Sequence, residues 1–259
     1  MPGARGAPAL THCQRYHMQR RVPLSPDAAH CSSCMLGHVC VPVGMPANEV
    51  EKLDELVKER VRVERGKSLY ELDDPLDAVY GVRFGSLKTQ LEDSSGQLQI
   101  TGFHLPGEIV GLDGMIESKH VSSAVALEDS EVCVIRLPEI DRVSTQLPSL
   151  QQQFRRLMSR EITRSHQMLA TVGAMRSEQR LAAFLLNLSQ RYAALGYSST
   201  ECVLRMSREE IGNYLGLTLE TVSRLFSRFG REGLIRINQR EVRLIDLPGL
   251  KQLIGQESC

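Results

Sequence analysis

The sequence predicts an α+β chain: an antiparallel β-roll in the N-terminal half, one long helix, and a C-terminal winged helix-turn-helix. Three observations carry this. Residues 63–137 break into short runs of alternating apolar and polar side chains, split by turn pairs such as Phe84-Gly85 and Pro106-Gly107. Residues 150–175 hold no proline, and no glycine before Gly173, with apolar side chains at helical spacing. The segment MSREEIGNYLGLTLETVSRLFSRFGREG then carries two capped helices around a tight turn.

At 259 residues, 42% hydrophobic and 24% charged, the chain has the composition of a globular protein with room for more than one core. No stretch is apolar for long enough to span a bilayer. The first residues carry Arg5, Arg15, Arg20 and Arg21 with no acid among them and no apolar run after them. They read as a flexible tail over 1–28 rather than a secretory signal. Seven cysteines, an odd number without an export signal, argue against disulfides and for the cytoplasm. The remaining boundaries are 29–147 for a cysteine-bearing loop and the β-roll, 148–175 for the long helix, and 176–259 for the helix-turn-helix domain.

Taken in order, Val50, Leu53, Leu56 and Val57 predict a short amphipathic helix over 47–61. The strand runs follow. In the long helix, Phe154, Met158, Ile162, Ser165, Leu169 and Val172 recur at an average spacing close to the 3.5 residues of a coiled coil, which predicts pairing with a second copy of the chain. Packing against its own domain is the alternative. A helix over 178–195, the strand-like CVLRM, the hairpin pattern LIRINQREVRLID and a short helix near Leu250 complete the chain.

Within the helix-turn-helix, Ser207 and Glu210 form a capping box, Gly216 supplies the turn and Thr218 caps the second helix. Ile211, Leu215, Leu217, Val222, Leu225, Phe226 and Phe229 are spaced to lock the two helices together. That leaves Glu220, Ser223 and Arg224 outward, where a recognition helix meets base edges. Arg224 suits guanine, Glu220 a cytosine amino group, and Ser223 is a short polar contact between them. Arg240 and Arg243 of the hairpin suit phosphates, and the C-terminal third is slightly basic.

The run HCSSCMLGHVC sets Cys31, Cys34 and Cys40 at C-x2-C-x5-C spacing, a metal-competent set of thiols. A structural zinc using His30 or His38, or reversible thiol oxidation without a metal, would also suit it. No His-x-Glu or other acid–base pair accompanies the thiols, which argues against a metalloenzyme. Cys13, Cys202 and Cys259 lack such spacing and read as a tail thiol, a strand core residue and a terminal thiol.

The tracts QITGFHLPGEIVG, RLAAFLLNLS and EEIGNYLGLTLETVSRL resemble the CRP/FNR superfamily of bacterial transcription regulators over nearly the whole chain, and its FNR (fumarate and nitrate reduction) branch in particular. The resemblance implies a sensory β-roll like that of cyclic-nucleotide-binding domains, a dimerisation helix and a DNA-reading wing. It implies as partners double-stranded DNA with palindromic TTGAT half-sites, RNA polymerase and a second copy of the chain. The family's Glu-x-x-Ser-Arg set falls on Glu220, Ser223 and Arg224. It further implies that Cys31, Cys34 and Cys40, with the remote Cys133 of SEVCVIRLP, hold a [4Fe–4S] cluster that oxygen destroys, weakening dimer and DNA binding. Nucleotide-binding relatives hold the cyclic phosphate with an Arg-Ser pair. Here Ser122 takes the arginine's place ahead of Ser123, leaving only Lys119 and His120 to favour an anionic effector. Ser165 replaces a carboxylate that some members carry on the seam, which predicts a tighter dimer and a less complete loss of DNA binding in air.

Overall fold

The computed structural model describes residues 20–23 and 30–255. Cys13, Cys259, His12 and His17 lie outside the described residues. Nine strands form the roll as two antiparallel sheets. One runs β1-β2-β9-β4-β7, with β1 Arg20–Pro23, β2 Glu59–Val63, β4 Ala78–Phe84, β7 Ile109–Val110 and β9 Ser130–Arg136. The other runs β3-β8-β5-β6, with β3 Ser68–Tyr70, β5 Leu87–Glu92, β6 Leu98–His104 and β8 Ser123–Ala126. Alternation explains the burial. In β2 (ERVRV), Val61 and Val63 point inward while Arg62 stays exposed. Between the sheets pack Leu69, Tyr70, Tyr80, Val82, Leu87, Val110 and Val132, each fully buried aliphatic side chain contributing about 1.5–3 kcal/mol.

Two expectations fail at the N-terminal side. Part of the predicted tail, Arg20–Pro23, is a strand paired antiparallel with β2. The predicted helix over 47–61 stops early: α1, Ala47–Val50, runs on as a 3-10 helix over Glu51–Glu55 and ends there. Leu53, Leu56 and Val57 are buried as their spacing asked. Beyond them the period-two pattern of β2 and its pairing with β9 take the backbone instead.

After β9 come α2, Leu137–Ser144, and α3, Pro148–Ala174, which starts on a proline suited to the first helical position. The first turns of α3 do not face outward: Leu150, Phe154 and Leu157 join Val41, Leu53, Leu56, Val57, Val79 and Ile135 in one core, with Cys31, Cys40 and Cys133 packed on it. Phe154, 9% exposed, therefore belongs to its own chain's interior rather than to the predicted seam. Both roles ask for the same residue type at the same spacing, so periodicity could not separate them.

The C-terminal region holds α4, Ser177–Ala194, α5, Arg208–Leu215, α6, Leu219–Arg231, α7, Leu247–Leu253, and a sheet ordered β10-β12-β11 (Glu201–Val203, Glu241–Leu244, Ile235–Asn238). Ser207 and Glu210 form the expected reciprocal cap, Gly216 ends α5 with φ +62°, and Thr218 Oγ1 accepts from Thr221 N. Its core (Leu181, Leu185, Ile211, Leu215, Phe226, Phe229) is continuous with Ile100, Phe103, Leu105 and Leu127 of the roll. Polar contacts tie the same junction. Lys88 Nζ donates to Glu210 Oε1 at 3.0 Å, Asn213 Nδ2 to Leu98 O at 2.7 Å, and Ile100 N to Asn213 Oδ1 at 2.5 Å.

His104 ends β6, buried beside Thr89, its Nε2 3.1 Å from Thr89 Oγ1. Burial, with Arg164 nearby, pushes its pKa down to about 3. The folded state thus refuses a proton that the unfolded chain accepts near its ordinary pKa of about 6.5, so stability should fall on acidification below that value by about 1.4 kcal/mol per pH unit. Urea unfolding at pH 7 and pH 5 is expected to show this drop, and His104→Gln to flatten it; an unchanged slope in the variant would refute the assignment.

Candidate metal centre and nucleic-acid interface

The cysteine loop folds back on itself through short-range backbone bonds. Gly37 N donates to Cys34 O at 3.0 Å and Cys40 N to Leu36 O at 2.9 Å. Ser32 fastens it to the turn after α1, its N and Oγ donating to the two Asp54 carboxylate oxygens at 3.0 and 2.6 Å. The loop thereby carries Cys31, Cys34 and Cys40 to β9, where Cys133 sits, and all four line one cavity, partly open to solvent. Its walls are apolar (Leu36, Val41, Leu53, Val57, Ile135), with His30, Arg60 and Arg83 at its edge. His38 lines a different cavity, beside Glu108 and Arg164. Burial is the main reason the Cys31, Cys40 and Cys133 thiols are raised, Cys40 to about 12; at Cys133 the Arg60 guanidinium opposes the rise.

The thiols surround a space rather than converge on a point. Among the described residues no three His, Cys, Asp or Glu side chains lie close enough together to hold one metal ion. Zinc, with sulfur bonds of about 2.3 Å, needs such convergence. A four-iron, four-sulfide body takes one thiolate at each iron and fills a volume of its own. Four cysteines around an apolar-walled cavity fit that group.

The alternative site in the roll is filled by protein. His120 is wholly buried and stacks on Tyr70 at 3.6 Å between ring centroids, with Tyr80 beyond it. Ser122 Oγ donates to Asp113 Oδ2 at 2.7 Å, so a carboxylate faces the position where an anion would need a cation. Lys119 lies 3.8 Å from Asp73. Both residues that favoured an anionic effector are engaged by the protein itself, His120 by aromatic rings and Lys119 by a carboxylate.

On α6, Glu220 and Arg224 are exposed and Ser223 is half-buried, at successive turns of one face. Thr218 and Glu220's own backbone N–H hold the Glu220 carboxyl below the usual range, so it is an acceptor at neutral pH. The junction with the roll uses α5, leaving this face of α6 uncovered. Arg240 is exposed in the wing, and Arg243 pairs with Glu201 at 3.3 Å. Along α3, Met158, Ile162 and Leu169 are 43%, 56% and 71% exposed. Ser165, between them, is exposed and donates to Glu161 O at 3.0 Å. Val172 is half-buried, close to Gly216 at the helix-turn-helix turn.

Residues 179–253 match the Crp-like helix-turn-helix domain and residues 60–146 the cyclic nucleotide-binding domain. The chain is 45% identical over 227 residues, 88% of its length and 93% of the relative's, to the transcriptional activator protein anr of Pseudomonas aeruginosa. It belongs to the CRP/FNR family of transcription regulators. It is also 99% identical over 242 residues, 93% of its length and all of the relative's, to the transcriptional regulatory protein btr of Bordetella pertussis. To the anaerobic regulatory protein of Haemophilus influenzae it is 39% identical over 236 residues, 91% of the chain and 92% of that protein. Among solved structures, FixK2 from Bradyrhizobium japonicum superposes with a TM-score of 0.70 at 27% identity, covering 77% of this chain and 97% of that one. This regulator is therefore a DNA-binding protein and not an enzyme, and among its described residues no helix is long and apolar enough to cross a membrane.

Sequence reasoning did not find Arg60, Arg83 and Glu131 beside Cys133, nor the grip of Glu108 on Arg164 and Arg191. Pro106-Gly107 stood out only as a turn pair, and Glu108 only as the residue that follows it. Its partners lie on two helices far away in sequence, and no local pattern announces them.

Proposed function

We propose that this regulator senses oxygen: Cys31, Cys34, Cys40 and Cys133 hold a [4Fe–4S] cluster that keeps two copies paired through α3 on palindromic TTGAT-type sites. In that form it acts in the cytoplasm with RNA polymerase to activate or repress genes of anaerobic metabolism. The observation that carries this reading is the gathering of a thiol from β9 and three from the N-terminal loop around one apolar-walled cavity. The group, when bound, supplies a redox centre that oxygen can oxidise.

The chain's own residues do the rest. Loading requires Cys31, Cys40 and Cys133 to give up protons that burial holds on them, so the loop is set by the bound group. Cys31, Cys40 and Cys133 share a core with Leu150, Phe154 and Leu157, so a shift of the loop disturbs the base of α3. The exposed stripe Met158, Ile162 and Leu169 supplies the pairing face, and Ser165 adds no charge to repel its twin. A twofold pair would place two α6 helices on the two halves of a palindrome.

Iron, sulfide and visible absorbance measured before and after air, with DNA binding on the same sample, test the reading. Protein prepared without air that is iron-free, yet binds the palindrome tightly, would overturn it. Arg224→Ala is expected to weaken binding to that site by about 1–3 kcal/mol and to relax preference at one base pair. Fluorescence anisotropy on matched and singly altered duplexes reads this out; equal loss on every duplex would mean that Arg224 touches phosphate instead.

A further inference from the structure

The cysteine cavity has a cationic wall. Arg60 and Cys133 face each other across β2 and β9, and Gly81 and Cys133 across β9 and β4. A register shift between Val82 and Phe84 brings Arg83 beside Glu131, two residues before Cys133. Glu131 then serves three guanidiniums. It accepts from Arg83 Nη1 at 3.0 Å and Arg62 Nε at 3.2 Å, and lies 3.7 Å from Arg60 Nη1. Three guanidiniums thus gather at one carboxylate, and two of them, Arg60 and Arg83, line the cavity. Arg62 does not, and its side chain is 61% exposed.

One donor at this edge is also unspent. Arg83 Nε is buried and has no hydrogen-bond partner among the described residues. Buried polar groups are rarely left so, and an acceptor in the cavity would resolve it. Thiolate and sulfide sulfur are such acceptors, and loading fills the cavity with them.

We infer that Arg83, with Arg60 beside it and Glu131 holding both, donates hydrogen bonds and positive charge to the sulfur bound at Cys133, making the group harder to oxidise. The inference rests on the iron–sulfur reading of the four cysteines. Oxidation in air would pass an electron from such a group to dioxygen, giving superoxide, and would leave the group less negative. Neighbouring guanidiniums lose attraction in that step and so oppose it, and hydrogen bonds to sulfur act in the same direction. Arg60 and Arg83 are thus positioning and tuning residues rather than ligands.

The test uses full-length protein reconstituted without air as wild type, Arg83→Gln, Arg83→Lys and Arg62→Gln. Each is assayed for iron and sulfide, for its reduction potential by titration followed with electron paramagnetic resonance, and for the decay of visible absorbance in air. Arg83→Gln is expected to show a lower potential and a decay roughly tenfold faster, the low end of effects seen when partners of metal ligands are removed. Arg83→Lys, which keeps the charge, is expected to recover most of the shift. Arg62→Gln also loses a contact with Glu131 but should match wild type, which separates tuning from simple support of the sheet. An unchanged Arg83→Gln, an equal shift in Arg62→Gln, or no recovery in Arg83→Lys would each overturn the inference while the cluster reading stands. A wild type that takes up no iron or sulfide would sink both.

Discussion

Cys133→Ser is expected to give a folded protein that takes up no iron or sulfide and whose DNA binding no longer changes between anaerobic and aerated buffer. Serine keeps the size of the side chain and its place on β9, where Cys133 is only half-buried, so folding should lose about 1 kcal/mol or less. One thiolate fewer leaves one iron without its ligand. Cys202→Ala is the matched control. Cys202 is buried in β10, outside the cysteine cavity, and loading should be unaffected by its loss. Iron and sulfide assays on the two variants, with circular dichroism to verify folding, read the contrast. Full loading of Cys133→Ser, or empty Cys202→Ala, would show that the remote ligand has been misassigned.

The second large effect is expected at Glu108. Its Oε1 accepts from Arg164 Nη2 of α3 at 2.8 Å and from Arg191 Nε of α4 at 2.8 Å, and its Oε2 from Arg191 Nη2 at 2.7 Å and Leu105 N at 3.0 Å. Side-chain exposures of 26%, 17% and 22% for Arg164, Arg191 and Glu108 leave little water to screen the triad. The two guanidiniums hold the Glu108 carboxyl down at about 2, so it is charged at any working pH. Glu108→Gln strands Arg191 and leaves Arg164 only its 3.6 Å pair with Glu161, and should lower unfolding stability by about 3 kcal/mol. A drop of that size should shift the thermal midpoint by several degrees. Because the residue joins the roll to both helices, the variant should also expose the Met175–Arg176 joint to proteases. Adding Arg164→Met should restore part of the loss by removing one poorly paired charge. A variant as stable and protease-resistant as wild type would show that the triad is compensated by solvent.

How much of this was legible follows from how far apart in sequence the partners lie. The roll and the helix-turn-helix were legible because alternation, capping boxes and turn glycines act within a few residues. Ser207, Glu210, Gly216 and Thr218 take the expected roles in the structure. The helix expected over 47–61 failed where local spacing lost to strand pairing with β9, some seventy residues later in the chain. Phe154 failed because an inward-facing first turn and an intermolecular seam demand the same apolar residue. On the candidate site, three cysteines were visible as a run, and Cys133 only through resemblance. Arg60, Arg83 and Glu131 were invisible, since nothing local reveals which residues a sheet register sets side by side.

One feature of the interior bears on how the protein is made. The pocket that gathers the cysteines is closed by β9 and backed by Leu150, Phe154 and Leu157, so its parts are spread from residue 31 to residue 157. Gly107, with φ +86°, adds a further constraint: Val39 packs so closely on it that a methyl group there would lie 2.5 Å from Val39 Cγ2. A chain emerging from the ribosome presents its first three cysteines long before any of these partners exist. Such long-range closure is slow and late. On the proposed iron–sulfur reading, delivery of iron and sulfide would therefore wait for a nearly finished polypeptide, and a protein truncated before the base of α3 would offer loose thiols instead of a receptacle.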